Sequence, residues 1–159
     1  MIKMNKYEEL LEEAAAENIF VDENFHFNSN LKGLYIDHNI ALSDTLRTTA
    51  EKAAILAEEL GHHYTSVGNI LDPRDLNSRK QEHQTRMWSY DRMFGLKGLI
   101  DAYQHGYREF HEVAEYLEVP EEQLRDALNY YRSKYGTYAI CGDYYFIFEP
   151  YLTIGKRFV

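Results

Sequence analysis

Leu56-Ala57-Glu58-Glu59-Leu60-Gly61-His62-His63-Tyr64 closes a run in which Leu46, Ala50, Ala53, Ala54, Ala57 and Leu60 keep an apolar period of 3.6 residues. Nothing breaks the run between Thr45 and Gly61, so a long helix is expected from Thr45 to about Tyr64, with Ser43 or Asp44 as its cap. Its alanines suit close packing against neighbouring elements. Residues four apart on a helix share a face, which aligns Glu58 with His62 and turns Glu59 about 100° away.

That arrangement is the H-E-x-x-H pattern with its first histidine exchanged for Glu58. In the unexchanged pattern two histidines one turn apart grip a metal and the glutamate between them activates a water. Glu59 keeps the place of the general base and His62 that of the second ligand. A catalytic zinc takes three protein ligands and leaves a fourth position open, so one more donor is required. Glu82, twenty residues after His62, has the residue type and separation of a third ligand on a following helix; Asp75 and Asp91 are further carboxylates within reach. His63 falls on another face and reads as a hydrogen-bonding neighbour, and His83 as an exposed helix residue. For the oxyanion of an acyl-transfer reaction, Tyr64 and His63 are the nearest donors in sequence.

Around this helix the chain alternates short elements. Lys6 to Glu17 sets Tyr7, Leu10, Leu11 and Ala14 at helical spacing among acids, a surface helix with a narrow apolar stripe. Ile19-Phe20-Val21 and Phe25-His26-Phe27 read as strand pieces, and Leu31 to Leu42 as a hairpin turning at Asp37-His38-Asn39. Gly68-Asn69 and Asp72-Pro73 mark a loop. A charged helix is expected from Asn77 to Phe94, a short one from Leu99 to Tyr107, and a helix-turn-helix rhythm from Phe110 to Leu117 and from Pro120 to Tyr131. Tyr138 to Phe148 alternates about Gly142-Asp143, a terminal hairpin.

Composition narrows the function classes. The 159 residues carry 17 basic and 26 acidic side chains, a formal charge of −9. Binding to nucleic acid depends on basic groups that neutralise phosphates, so the whole chain opposes it. The helix pair does so locally: between Arg108 and Lys134 four basic residues face seven acidic ones, a balance of −3. That favours a structural or protein-binding pair over a DNA reader. The 14 tyrosines point to amphipathic packing and a protein-binding face. A single cysteine, Cys141, excludes an internal disulfide and a thiolate zinc site. No apolar run reaches the roughly 18 residues of a membrane span and no leader pattern opens the chain, so no membrane partner and a cytoplasmic location are expected.

Glu58-Glu59-Leu60-Gly61-His62-His63-Tyr64, then Glu82-x-x-Thr85-Arg86-Met87-Trp88, then the Phe110–Leu128 helix pair resemble, over roughly Thr45 to Arg132, the ImmA/IrrE family of metallopeptidases, common in phages and mobile elements. Those proteins show H-E-L-G-H on one helix and E-x-x-A-N/R-x-F/W-A on the next; Thr85 departs from the alanine and Glu58 from the histidine. The resemblance implies an α+β fold: a zincin-like helical core with a small N-terminal sheet, a helix-turn-helix-like pair and a C-terminal β-hairpin. It implies a metallopeptidase-like part over residues 1–100, with the pair and hairpin in 101–159. By position, Glu58, His62 and Glu82 become metal ligands and Glu59 the catalytic base. The implied activity is cleavage of a helix-turn-helix repressor with a divalent metal, zinc first and manganese or iron as alternatives. The other reading is a degenerate relative that inactivates the repressor by binding it stoichiometrically.

Overall fold

Thr48, rather than Ser43 or Asp44, starts the central helix. Its hydroxyl accepts the Glu51 N–H at 3.0 Å while the Glu51 carboxylate accepts the Arg47 N–H at 2.9 Å, a near relative of the reciprocal capping box. Ser43 and Asp44, farther back in the chain, are engaged elsewhere: the Ser43 hydroxyl accepts the Thr45 N–H at 3.1 Å, and the Asp44 carboxylate lies 3.1 Å from His26 Nδ1. The computed structural model describes residues 3–65 and 76–158. It is α+β, with six helices and two three-stranded sheets among those residues, and its chain contacts divide it into Met1–Met93 and Phe94–Val159.

In the first unit, α1 (Lys6–Ala16) is capped by Asn5, whose side chain accepts the Glu8 N–H, and it buries Tyr7, Leu10 and Ala14. Asn18 takes a left-handed φ of 58° to end it, as asparagine can, and turns the chain into β1 (Phe20–Phe25). One irregular strand thus runs from the first expected piece through Asp22-Glu23-Asn24 to Phe25, and His26 and Phe27 of the second expected piece lie outside it. β2 (Gly33–Ile36) and β3 (Asn39–Ser43) form the expected hairpin. Its two-residue turn, Asp37-His38, has φ of 43° and 62°, the double positive φ of a type I′ turn. β1 pairs parallel to β3, giving the order β1-β3-β2 with β2 at an edge.

The helix α2 (Thr49–Thr65) lies against α1, β2, β3 and α3 (Leu76–Met93), and this crowding explains its small residues. Gly61 is packed closely on α3: a Cβ there would sit 2.9 Å from the Thr85 carbonyl oxygen and 3.0 Å from Thr85 Cγ2. Backbone on a packed helix yields little, so Gly61→Ala is expected to cost about 1–3 kcal/mol, read as a lower urea midpoint at unchanged slope.

The second unit joins α4 (Gly95–Gln104), α5 (Phe110–Leu117) and α6 (Glu121–Tyr135) to β4 (Tyr138–Cys141), β5 (Tyr144–Ile147) and β6 (Thr153–Lys156). α4 begins four residues before the expected Leu99 because Gly95, at φ 63°, lets the chain turn at once after Phe94. Glu118 ends α5 in the left-handed region, and Pro120 precedes α6, where its missing N–H costs nothing. The expected hairpin at Gly142-Asp143 forms, and β6 extends it to a third strand. Tyr131 and Phe146 are wholly buried in this unit. Among the described residues no helix is long and apolar enough to cross a membrane.

Candidate metal centre

α2 presents two functional stripes. Ile55, Glu59 and His63, each one turn apart, face β2: a Cβ on Gly33 would meet Ile55 Cγ2 and come within 3.1 Å of Glu59 Cγ, and the Tyr35 hydroxyl shares a 2.7 Å hydrogen bond with His63 Nδ1. Glu58 and His62 form the next stripe and meet Glu82 of α3. The two helices are held in register beside them by Thr65, whose Oγ1 lies 2.7 Å from the Gly61 carbonyl oxygen and 2.6 Å from Thr85 Oγ1. Thr85 is wholly buried there, so the absence of a side chain on Gly61 makes room for it.

One donor atom from each of Glu58, His62 and Glu82 lies within 4.8 Å of the other two, and this group could hold a metal ion. His62 Nε2 and Glu82 Oε1 are 3.6 Å apart. Two donors each about 2.1 Å from a tetrahedral ion stand about 3.4 Å apart, so this pair already has close to the needed spacing. Asp91 is exposed on α3, nine residues beyond Glu82 and outside the group. Asp75 and the loop expected at Gly68–Asn69 and Asp72–Pro73 lie outside the described residues.

Charge accumulates at the cluster. Burial holds the Glu58 carboxyl above its ordinary range, with Glu82 adding to the rise, while the charges of Arg86 and His62 pull it back. Glu59 is 7% exposed, and burial together with the carboxylates of Glu58 and Glu82 pushes it up to about 8. The backbone N–H of Tyr35 donates to the Glu59 carboxylate and lowers it in part. A buried acid beside two others, oriented by a backbone donor, is an arrangement met at functional sites. A nearby cation would oppose these rises, because it favours the ionised forms of Glu58 and Glu59.

The neighbours suggested by sequence as oxyanion donors are engaged elsewhere. His63 binds the Tyr35 hydroxyl through Nδ1 and has Nε2 3.5 Å from Glu17 of α1, the neighbour role expected for it. Tyr64 stacks near Trp88 at 4.9 Å, and burial with the carboxylates of Glu13 and Glu17 pushes its phenol up to about 12. Both rings fasten α1 to α2.

Three contributors escaped the sequence reading. Arg86, one turn after Glu82, was legible as an i, i+4 neighbour of a proposed ligand. Gly33 and Tyr35 had no local signal, because only the packing of β2 on α2 brings them to Glu59. No protein-family model matches this sequence, and neither a curated protein nor a solved structure matches it.

Proposed function

We propose that this chain is a metal-dependent endopeptidase of the ImmA/IrrE kind, with Glu58, His62 and Glu82 as ligands, Glu59 as the base, and a helix-turn-helix repressor of a phage or mobile element as substrate. The convergence of those three donor atoms within 4.8 Å, with buried Glu59 beside them, carries the reading. A divalent ion at the cluster supplies the positive charge that polarises a scissile carbonyl and acidifies water.

The chain's own groups account for the remaining work. The Tyr35 N–H holds one side of the Glu59 carboxylate, leaving the other oxygen to take a proton from the attacking water and return it to the departing amine. β2 offers a template for an extended substrate. The Ser43 N–H donates to the Lys32 carbonyl at 2.9 Å, which makes Lys32–Ser43 and alternate pairs beyond it the hydrogen-bonded ones. Gly33 therefore turns its N–H and C=O, and Tyr35 its C=O, to the free edge beside Glu59, where a substrate strand can add, while the Tyr35 N–H stays with the Glu59 carboxylate.

Two carboxylates and one histidine bring a divalent site to a net charge of about 0, against about +1 with two histidines and one carboxylate. Zinc remains the first expectation, and the harder donor set lets manganese or iron compete more effectively than at a two-histidine site. His62→Ala and Glu82→Ala are each expected to weaken metal binding by at least about 100-fold, since a ligand contributes more than its outer-shell supports, whose loss costs 10–100-fold. Calorimetric titration of chelator-free, untagged protein measures this; unchanged affinity in both variants would remove the assigned site.

The function itself is tested by incubating the protein, with and without metal, with a repressor encoded beside it. Metal-dependent cleavage is expected. The exchange of histidine for Glu58 favours one other reading, a stoichiometric repressor-binding protein. It requires a stable complex, indifferent to chelators and to Glu59→Gln, with the repressor left intact.

A further inference from the structure

The second unit contains a cleft of about 320 Å³, lined by Leu99, Tyr103, Tyr107, Arg108, Val113 and Ile154 among others. Arg108 is placed with unusual care for an exposed side chain. Its guanidinium stacks 4.1 Å above the Tyr103 ring, and Nη1 donates to the carbonyl oxygens of Tyr103 at 2.9 Å and Tyr107 at 3.0 Å. In a chain of net charge −9, with Glu109 and Glu112 close in sequence, Arg108 makes no ion pair among the described residues. Its fork is fixed by one nitrogen and the Tyr103 face, which leaves further N–H donors for an anion.

We propose that this cleft binds a small carboxylate with an aromatic or aliphatic body, the carboxylate meeting Arg108 and the body entering between the tyrosines and the aliphatic wall. The volume lies within the usual range for small-ligand pockets, and a lining divided between apolar and polar surface, with one oriented charge, suits a ligand that has an apolar body and a charged end. Preorganisation supports the charge as the recognition element: guanidinium–carboxylate bonds are directional, and little rotamer freedom remains to be lost on binding.

The test uses the full chain, labelled with nitrogen-15, and three probes: indole-3-acetate, its neutral analogue indole-3-acetamide, and acetate. Indole-3-acetate is expected to bind saturably in the millimolar range, shifting the amides of Tyr103, Tyr107, Arg108, Val113 and Ile154. The amide and acetate should each bind about tenfold more weakly or worse, since one lacks the charge and the other the body. Arg108→Gln should weaken indole-3-acetate about tenfold or more while the rest of the amide spectrum stays in place. Equal binding of the acid and the amide by the wild type overturns the proposal without reliance on any variant. So does binding of indole-3-acetate that shifts amides elsewhere, or no saturable binding at all.

Discussion

If the chain acts as the proposed metal-dependent endopeptidase, Glu59→Gln is expected to lower peptide cleavage steeply while leaving the metal bound. The amide preserves the size of the side chain and still accepts the Tyr35 N–H through Oε1, so α2 and its stripe on β2 stay as they are. It cannot take a proton from water. General-base contributions of about 10²–10⁴ set the scale of the loss in kcat/KM, with KM for the repressor little changed because Glu59 is required in the reaction rather than in docking. The pH dependence of the wild type adds a second readout. Activity should rise with pH through the ionisation of Glu59, at a value below the metal-free one of about 8, since a divalent cation beside the carboxylate lowers it. Full cleavage by Glu59→Gln at saturating metal would remove Glu59 as the base.

The metal-free protein is expected to lose stability as pH rises from about 4.5 to about 8. Glu59 ionises near 4.5 in the unfolded chain and near 8 in the folded one. Below the lower value both states hold the proton. Between the two only the folded state holds it, so rising pH favours unfolding by about 1.4 kcal/mol per unit, up to about 5 kcal/mol across the window. Glu58 is shifted in the same direction and steepens the fall. Urea denaturation with chelator present at pH 5 through 8 measures it, and comparison with Glu59→Gln isolates the Glu59 share, because titrations common to both proteins cancel. The variant should gain most over wild type at pH 8 and least at pH 5. Saturation with zinc or manganese at 100 times the dissociation constant adds about 2.7 kcal/mol and flattens the wild-type slope. A difference between the two proteins that stays constant with pH would show that Glu59 ionises normally.

Both outcomes depend on the same local fact, a carboxylate kept away from water by a strand. In the sequence, Glu59 is one of two adjacent glutamates on a helix, which are ordinarily solvated. What makes it different is Gly33, which allows β2 to approach closely enough to cover it, and Tyr35, which then supplies an N–H. The arrangement of β2 against α2 joins residues about 25 positions apart, and local periodicity carries no information on that distance.

The sequence by itself determined the helix α2, the alignment of Glu58 with His62 one turn apart, the separate direction of Glu59, the β2–β3 hairpin and the Gly142-Asp143 turn. These follow from helical and strand periods and from turn chemistry, all of which act over a few residues. Glu82 was legible as a candidate because its spacing from His62 suits a following helix. Tertiary structure alone decided that it is Glu82, rather than Asp91, whose carboxylate joins the group, because the Gly61–Thr85 contact sets the register of α3 on α2. It also decided the cap at Thr48, the parallel pairing of β1, the third strand β6, the removal of His63 and Tyr64 into contacts with α1, and the raised pKa of Glu59. Each of these arises from burial or from partners distant in the chain, and burial is a property that a residue acquires only when the rest of the fold closes over it.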